Sequence, residues 1–551
     1  MSEPVTQDNV ALPGLYEQVL AHAATQPDKV AISRRLSDGR FEETTYAQLA
    51  RTATEYAHAF RNDGLSGAVI PMLMVKSADT VAAMLGTLAT ENAFAILNMK
   101  FRTPQIEAAL ESTQASVSLI DGHGLMAIRG GYQDSNTILK SRWWLRCGNS
   151  IEGMVERIAT QFRESGNLVE LSSPCNHQPL PRLEHDSRRV GCCLFTSGST
   201  GKPKGVLISE ADLRARVQAE VEWYEIDGDD KLLSILPFSF DVGLNQLCSA
   251  LAAGCELVVL DSWMPADIAD TAGKRQITGI SCVPTIWQDF INAGLSFDTM
   301  GKHKTLRYLT VSGGDLPRKH LDKLSAMAPG VGIFKTYGQT EAFRCTSLHP
   351  DDFSLKNRSV GRVFAGARVY IVREDGSHAD PGETGEIVHS GLGTMLGYIG
   401  EDDPQEKLRQ NPFIGDDDGN PLAVFTGDLG YLDADNYLHL AGRRDQMIKI
   451  SGNRIYPGEV SEQLLAIEGV LEAQTVALET ADGHKRLVGF VIIAQAIDLT
   501  PRTLQRQLSA RVPSYMIPEE IAILTSLPRT STGKPDIAEL HRQAASLVDS
   551  A

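Results

Sequence analysis

Apolar positions in this chain alternate between two periods. Leu12, Leu15, Tyr16, Val19, Leu20 and Ala23 recur every three or four residues, a spacing that predicts an opening amphipathic helix with one face on a core. From about 29 to 121, helical patterns such as 46–59 alternate with short apolar runs at 67–75 and 93–97. Such alternation predicts α/β layering with a largely parallel sheet. Residues 122–189 are weakly patterned, with Trp143 and Trp144 adjacent and then a polar, proline-containing stretch, and no function is read from them. Apolar runs of buried-strand length return at 190–195, 206–208, 232–236, 279–285 and 308–314. The last hundred residues form a smaller unit: a helix through Val460, Leu464, Leu465 and Ile467, strands at 473–478 and 487–493, and a second helix at 504–512.

At 551 residues and 42% hydrophobic content, the chain exceeds one core and should divide into two or more domains. No apolar run approaches the length that spans a bilayer, and Met1-Ser-Glu-Pro-Val-Thr lacks a basic-then-apolar signal pattern. A cytoplasmic protein without membrane insertion is expected. The eight cysteines include no CxxC pair, which fits buried free thiols better than disulfides or a zinc site. A net charge of −17 argues against a nucleic-acid partner, and any polyanionic ligand must be held by local donors.

The densest chemistry is Thr196-Ser-Gly-Ser-Thr-Gly-Lys-Pro-Lys-Gly205, where glycines, hydroxyls and lysines crowd a turn between two apolar runs. Glycines let backbone N–H groups approach an anion, and lysine adds mobile positive charge, so the stretch reads as a phosphate grip. It is not a Walker A loop: Thr196 stands where the first glycine is needed and Pro203 where Ser or Thr is needed. Five later segments carry comparable density. They are Phe240-Asp241 at a strand end, Tyr337-Gly-Gln-Thr-Glu341, Thr426-Gly-Asp428, and Gly442-Arg-Arg-Asp445 followed by Lys449; Ser-Thr-Gly-Lys534-Pro closes the series. By residue type alone, an aromatic beside glycine can stack on a base, threonine can reach a phosphate, an acid can hold Mg²⁺, and a carboxylate can accept from vicinal hydroxyls.

In order and spacing these segments resemble the signatures of the adenylate-forming superfamily, which includes acyl-CoA synthetases, luciferases and peptide-synthetase adenylation domains. The resemblance implies a large multi-subdomain N-terminal α/β domain (1–443) and a small mobile C-terminal α+β domain (444–551), with a hinge at Asp445. It implies ATP held by Thr196, Ser197, Gly198, Ser199, Thr200, Gly201, Lys204, Gly313, Gly314, Tyr337, Thr340, Asp428 and Arg443, and Mg²⁺ held by Glu341. Asp428 would take the ribose hydroxyls, Lys534 would bridge the substrate carboxylate and the α-phosphate, and Lys449 would reach the site after the hinge turns. Asp241, Val242, Asn245, Ser281, Thr310, Ser312, Thr336, Gly338, Arg344 and Cys345 would surround the substrate. The turn 97–104, Leu-Asn-Met-Lys-Phe-Arg-Thr-Pro, departs from the family's Pro-Leu-Asp-Pro-like pattern.

Phe240-Asp241 matches the pair that, in amino-acid-activating members, meets the substrate ammonium. An ammonium entering a pocket needs such an anionic partner, or its desolvation goes uncompensated. Arg344 at the deep end could fill the pocket, leaving room for glycine or alanine, or could pair with a side-chain carboxylate. No carrier-type Gly-x-Asp-Ser-Leu segment is present. The expected function is therefore activation of a small amino acid as its adenylate, then transfer to the phosphopantetheine thiol of a separate carrier protein, resembling stand-alone D-alanine or glycine ligases. The alternative is an AMP-forming acyl-CoA synthetase with CoA as acceptor. A nucleotide-binding regulator without catalysis is disfavoured because Lys534, Glu341 and Asp428 occur together.

Overall fold

The computed structural model describes residues 12–129, 135–146, 154–171, 178, 180, 183, 186, 188–197, 203–297, 305–314, 316–356, 358–400, 407–413, 421–444, 448–450, 453–479, 485–494, 497–530 and 533–549. The opening periodicity forms the helix Leu15–Thr25, which buries Leu15, Tyr16 and Val19. Pattern 46–59 forms Tyr46–Asn62, started by a reciprocal cap between Thr45 and Gln48 that satisfies two backbone donors.

Among the described residues two large sheets hold most of the strands up to about residue 400. One has nine strands, and its central members Gly332–Tyr337, Tyr308–Val311, Gly279–Cys282, Lys231–Ser234, Glu256–Val259 and Val30–Arg35 run parallel. The other has eight, with Ala93–Ile96, Val69–Leu73, Ser118–Ile120, Trp143–Arg146 and Leu168–Leu171 parallel, and Val190–Ser197 pairing antiparallel with Pro203–Ser209. Both conform to the layered parallel architecture read from the alternating pattern. Helices Tyr46–Asn62 and Ala78–Leu88 pack on one another within the largest apolar cluster.

Residues 122–189 hold more structure than their pattern suggests. They supply two strands and the helix Met154–Glu164, extending the eight-stranded sheet. Trp143 and Trp144 lie side by side on one strand yet belong to different apolar clusters, one on each face of the sheet. A strand buried on both faces loses the alternation by which strands are recognised.

A five-stranded antiparallel sheet follows, in which Leu422–Leu432 pairs with Leu438–Arg443 and sets Asp428 opposite Arg443. Beyond it, Val470–Glu479, Lys485–Ile493 and Glu520–Ile523 form a separate three-stranded sheet. Helices Pro457–Leu465 and Pro501–Ser509 contribute to its own core, built on Val460, Leu464, Val491, Leu504 and Leu508. The molecule is a large N-terminal α/β domain followed by a smaller α+β domain. Asp445, the expected hinge, lies outside the described residues.

All six described cysteines are buried free thiols, pushed above the ordinary range by burial in Cys192, Cys193, Cys248, Cys255, Cys282 and Cys345. Among the described residues no helix is long and apolar enough to cross a membrane.

Candidate active site

Ligands of open α/β sheets gather at the carboxyl ends of parallel strands, and the expected substrate residues lie there. Ser281 pairs in register with Thr310, on adjacent strands of the nine-stranded sheet. Beyond their ends, Ser312 Oγ lies 2.7 Å from Thr336 Oγ1 and 3.4 Å from Thr310 Oγ1. The helix Asp241–Ala253 starts directly after Phe240. Its first residue is an acid, favoured at a helix N-terminus by the backbone dipole. Asp241 Oδ1 accepts from the Val242 N–H at 2.7 Å, and Oδ2 accepts from Thr340 Oγ1 at 3.1 Å. Asp241 is half-buried. The acid of one expected motif and the threonine of another therefore meet, although they are about a hundred residues apart.

Tyr337 and Gln339 both donate to Asp428 Oδ2 at 2.7 Å, and Arg443 Nη1 donates to Oδ1 at 3.0 Å. Three donors already organise this carboxylate. Burial and the neighbouring Asp428 push the Tyr337 phenol well above its ordinary pKa, so it stays a protonated donor. Glu341 Oε1 accepts from Tyr398 Oη at 2.9 Å and from Lys407 Nζ at 2.8 Å. Burial alone would raise the Glu341 pKa, but Lys407 outweighs it and holds the carboxyl below the ordinary range, hence ionised.

Of the phosphate loop, Gly198, Ser199, Thr200 and Gly201 lie outside the described residues. Its flanks are described: Thr196 pairs with Lys204 across the hairpin, and Thr196 Oγ1 donates to the Lys204 carbonyl at 3.4 Å. Ser197 ends the first strand. Lys204 Nζ sits 5.1 Å from the centre of the Tyr398 ring. Tyr398 thus bridges the hairpin and Glu341. Lys449 is on the strand Ile448–Ile450, and nothing is described of its side chain.

Lys534 enters from the small domain. Thr285 Oγ1 donates to the Gly533 carbonyl at 2.5 Å, and Arg529 Nη2 reaches Asp289 of the large domain at 3.0 Å and Glu472 of the small domain at 3.1 Å. Lys534 Nζ then lies 5.4 Å from the centre of the Phe240 ring, next to Asp241. Gly313 makes room for it. At φ +77° it occupies the left-handed region, and a Cβ there would stand 3.3 Å from both Lys534 Cε and Phe240 Cζ. Gly314 follows in the same turn, where a Cβ would stand 3.3 Å from Pro284 Cγ.

Arg344 is fully enclosed, at a positive φ of 51° that arginine rarely adopts. Gly338 allows that turn, since a Cβ on it would stand 2.5 Å from the Arg344 backbone nitrogen. Arg344 Nη2 pairs with Glu220 of the helix Glu210–Trp223, and Nη1 lies 3.5 Å from Ser312 Oγ. Burial would lower its pKa, but Glu220 reverses this and keeps it charged. Of the two roles expected for Arg344, pairing with a substrate carboxylate meets a guanidinium that already has an internal anion. Cys345 donates from Sγ to the Ala342 carbonyl at 3.3 Å, and burial together with the charge of Asp428 pushes its thiol up.

A cavity of about 520 Å³ adjoins the Phe240-Asp241 segment. Its walls include Met74, Ile96, Met99, Phe238 and Trp263, with Lys76 and Lys100 as its cations. Lys76 Nζ donates to the Ser234, Ile235 and Leu260 carbonyls at 3.1, 3.0 and 2.8 Å, and burial lowers its pKa to about 8. The atypical turn at 97–104 contributes Leu97, Asn98, Met99 and Lys100 to this wall.

Sequence reading missed Glu220, Tyr398 and Lys407, which touch motif residues from a helix, a strand and a turn without motifs of their own. Gln339 was in view inside Tyr337–Glu341 but carried no expected role. Tertiary pairing brings Tyr398 to Glu341: Gly397–Tyr398 pairs with Pro203–Ser209, and the Met395 N–H donates to the Glu341 carbonyl at 3.1 Å.

The AMP-binding enzyme family matches residues 19–399, and its AMP-binding enzyme C-terminal domain matches residues 459–534. Tyrocidine synthase 3 of Brevibacillus parabrevis is 25% identical over 528 residues, 95% of this chain and 7% of that protein. The chain therefore spans a small part of that relative's length. ATP-bound MatB of Rhodopseudomonas palustris superposes with a TM-score of 0.78 at 20% identity, covering 96% of this chain and 98% of that one. The o-succinylbenzoate CoA synthetase of Bacillus subtilis, in complex with an acyl-adenylate, gives 0.76 at 22% identity, covering 97% and 98%. With more than half its length matched, the chain belongs to the AMP-binding enzyme family and is an AMP-forming ligase with ATP-dependent adenylate-forming chemistry.

Proposed function

We propose that the chain activates a small α-amino acid as its aminoacyl-adenylate and passes the acyl group to a phosphopantetheine thiol on a separate carrier protein. The supporting observation is Asp241: a half-buried carboxylate held by the Val242 N–H and Thr340, next in sequence to Phe240, whose ring lies 5.4 Å from Lys534 Nζ. That pair of charges suits a zwitterion, with the ammonium on Asp241 and the carboxylate on Lys534.

A carboxylate oxygen would form a bond to the α-phosphorus of ATP as the bond to pyrophosphate breaks. Lys534 would stabilise the charge that builds in between, the kind of preorganised electrostatic help worth a few kcal/mol. Thr196, Ser197, Gly198, Ser199, Thr200, Gly201 and Lys204 would hold the outer phosphates, Asp428 and Arg443 the ribose, and Tyr337, Gly313 and Gly314 the base. The chemistry of Glu341 fits Mg²⁺, since it is an ionised, hard carboxylate that would hold such an ion. Such an ion would neutralise the polyphosphate. The small domain would then turn near Asp445, exchanging Lys534 for Lys449, and the thiol arm would enter through the apolar cavity beside Phe238.

A second reading, an acyl-CoA synthetase with CoA as acceptor, is favoured by the structural neighbours, one of which is itself a CoA synthetase. Pyrophosphate exchange over a panel of amino acids and their des-amino counterparts separates the two. Exchange with amino acids alone is expected; exchange with the des-amino acids alone would overturn the proposal.

A further inference from the structure

One oxygen of the Glu341 carboxylate is already engaged by the chain itself. Glu341 Oε1 accepts from both Tyr398 Oη at 2.9 Å and Lys407 Nζ at 2.8 Å. An ionised carboxylate oxygen offers about two lone-pair sites, so these two donors fill Oε1. Both donors are fixed from outside the Tyr337–Glu341 segment. Tyr398 lies on the short strand that pairs with Pro203–Ser209. Lys407 directly precedes the strand Leu408–Gln410, which pairs with the strand that carries Asp428, and its carbonyl accepts from the Phe425 N–H at 2.7 Å. Its Nζ also donates to Gln339 Oε1 at 3.2 Å, while Gln339 Nε2 donates to Asp428 Oδ2 and to the Thr426 carbonyl. Although 29% exposed, the Lys407 side chain is therefore held at both ends, by backbone pairing and by two acceptors. Charge-assisted bonds of this kind are the stronger ones.

We infer that Lys407 is a positioning residue which, with Tyr398, occupies Glu341 Oε1 and so restricts this carboxylate to one-oxygen coordination of a cation through Oε2. This rests on the reading of Glu341 as the metal carboxylate. The consequence is selectivity between hard cations. Mg²⁺ demands a near-ideal octahedron, and a carboxylate chelating through both oxygens spans too narrow an angle for it; Ca²⁺ takes about 6–8 oxygens in flexible geometry and accepts bidentate carboxylates. Filling Oε1 thus favours Mg²⁺ over Ca²⁺, and emptying it removes that preference.

The test is calorimetric titration of the full chain with ATP in the presence of Mg²⁺ or of Ca²⁺, and with AMP in the absence of metal. Removing a positive charge strengthens the site for every cation, so the ratio of the Ca²⁺ and Mg²⁺ affinities is the readout. In Lys407→Met the preference for Mg·ATP over Ca·ATP should fall about fivefold or more, and in Tyr398→Phe, which removes a donor at constant charge, about twofold or more. Lys407→Arg, which keeps a charged donor, should retain the preference. AMP affinity in Lys407→Met should change by less than about twofold, because Gln339 stays held by Asp428 and the Thr426 carbonyl. An unchanged preference in both Lys407→Met and Tyr398→Phe, with metal dependence abolished in Glu341→Gln, would overturn the inference alone. Metal dependence that survives Glu341→Gln would overturn the metal role of Glu341 and the inference with it. Equal losses of AMP and Mg·ATP affinity in Lys407→Met would overturn it in favour of a purely structural role.

Discussion

At the scale of single residues, each candidate group acts through one or two contacts, and its removal has a stated sign. Asp241 is the carboxylate proposed to receive the ammonium, so Asp241→Ala should lower kcat/KM for the preferred amino acid by about 10²-fold or more, as for losing one partner of a desolvated charge pair. Pyrophosphate exchange reads this, and undiminished turnover would put the ammonium elsewhere. Lys534→Ala should cost about 10²- to 10³-fold in adenylate formation, the scale of removing one preorganised transition-state donor. His389 makes a different kind of prediction. Buried in the strand Gly385–Gly391, its pKa is lowered by burial to about 4, so the folded state refuses a proton that the unfolded state binds from about pH 6.5 downward. Stability should therefore be undiminished above pH 6.5 and fall as pH drops towards 4. In His389→Gln the loss of unfolding free energy between pH 7 and 4.5 should shrink by about 2–3 kcal/mol, measured by denaturant titration.

Elements decide which of these residues can meet. Asp241 is useful because its helix begins directly after Phe240, and Gly313 because the turn after Tyr308–Val311 passes under Lys534. Gly313→Ala adds a methyl group 3.3 Å from Lys534 Cε on a residue at φ +77°, where a left-handed backbone alone costs about 1–2 kcal/mol. Its adenylation rate should fall more than its thermal stability suggests, with exchange and unfolding measured on one preparation. Elements were also where the pattern was most and least legible. The helices at Leu15, Tyr46 and Val460 were readable because each keeps one apolar face at helical period. Strands Trp143–Arg146 and Leu168–Leu171 were not, because four residues are too few to establish a period and both faces of the first are buried.

On the scale of the molecule, the small domain is held where Lys534 can work by a short list of contacts across the boundary. Arg529 is central: it faces Asp289 on one side and Glu472 on the other, and burial raises both carboxyls despite its charge. Arg529→Ala leaves two acids facing each other. Adenylation should fall about tenfold, in line with about 1.5–3 kcal/mol for a hydrogen bond to a charged group. The unfolding of the large domain, followed by tryptophan fluorescence, should be unchanged; an unaltered exchange rate would show that the docking contact is dispensable.

What the sequence by itself determined was chemical type and order. Glycines, hydroxyls, acids and lysines cluster at six places because phosphate and charge-transfer chemistry needs them locally, and local clustering survives in one dimension. The layered α/β plan was equally legible, since periodicity is a property of consecutive residues. Only the tertiary structure decided partnership. Asp241 with Thr340, Glu341 with Tyr398 and Lys407, Asp428 with Tyr337, and Arg344 with Glu220 are joined across separations of 57 to 124 residues. Each is brought about by packing of sheets and helices that no local pattern encodes. The charge on Arg344 shows why that matters: its type invited a substrate anion, and the folded chain had already supplied one from Glu220.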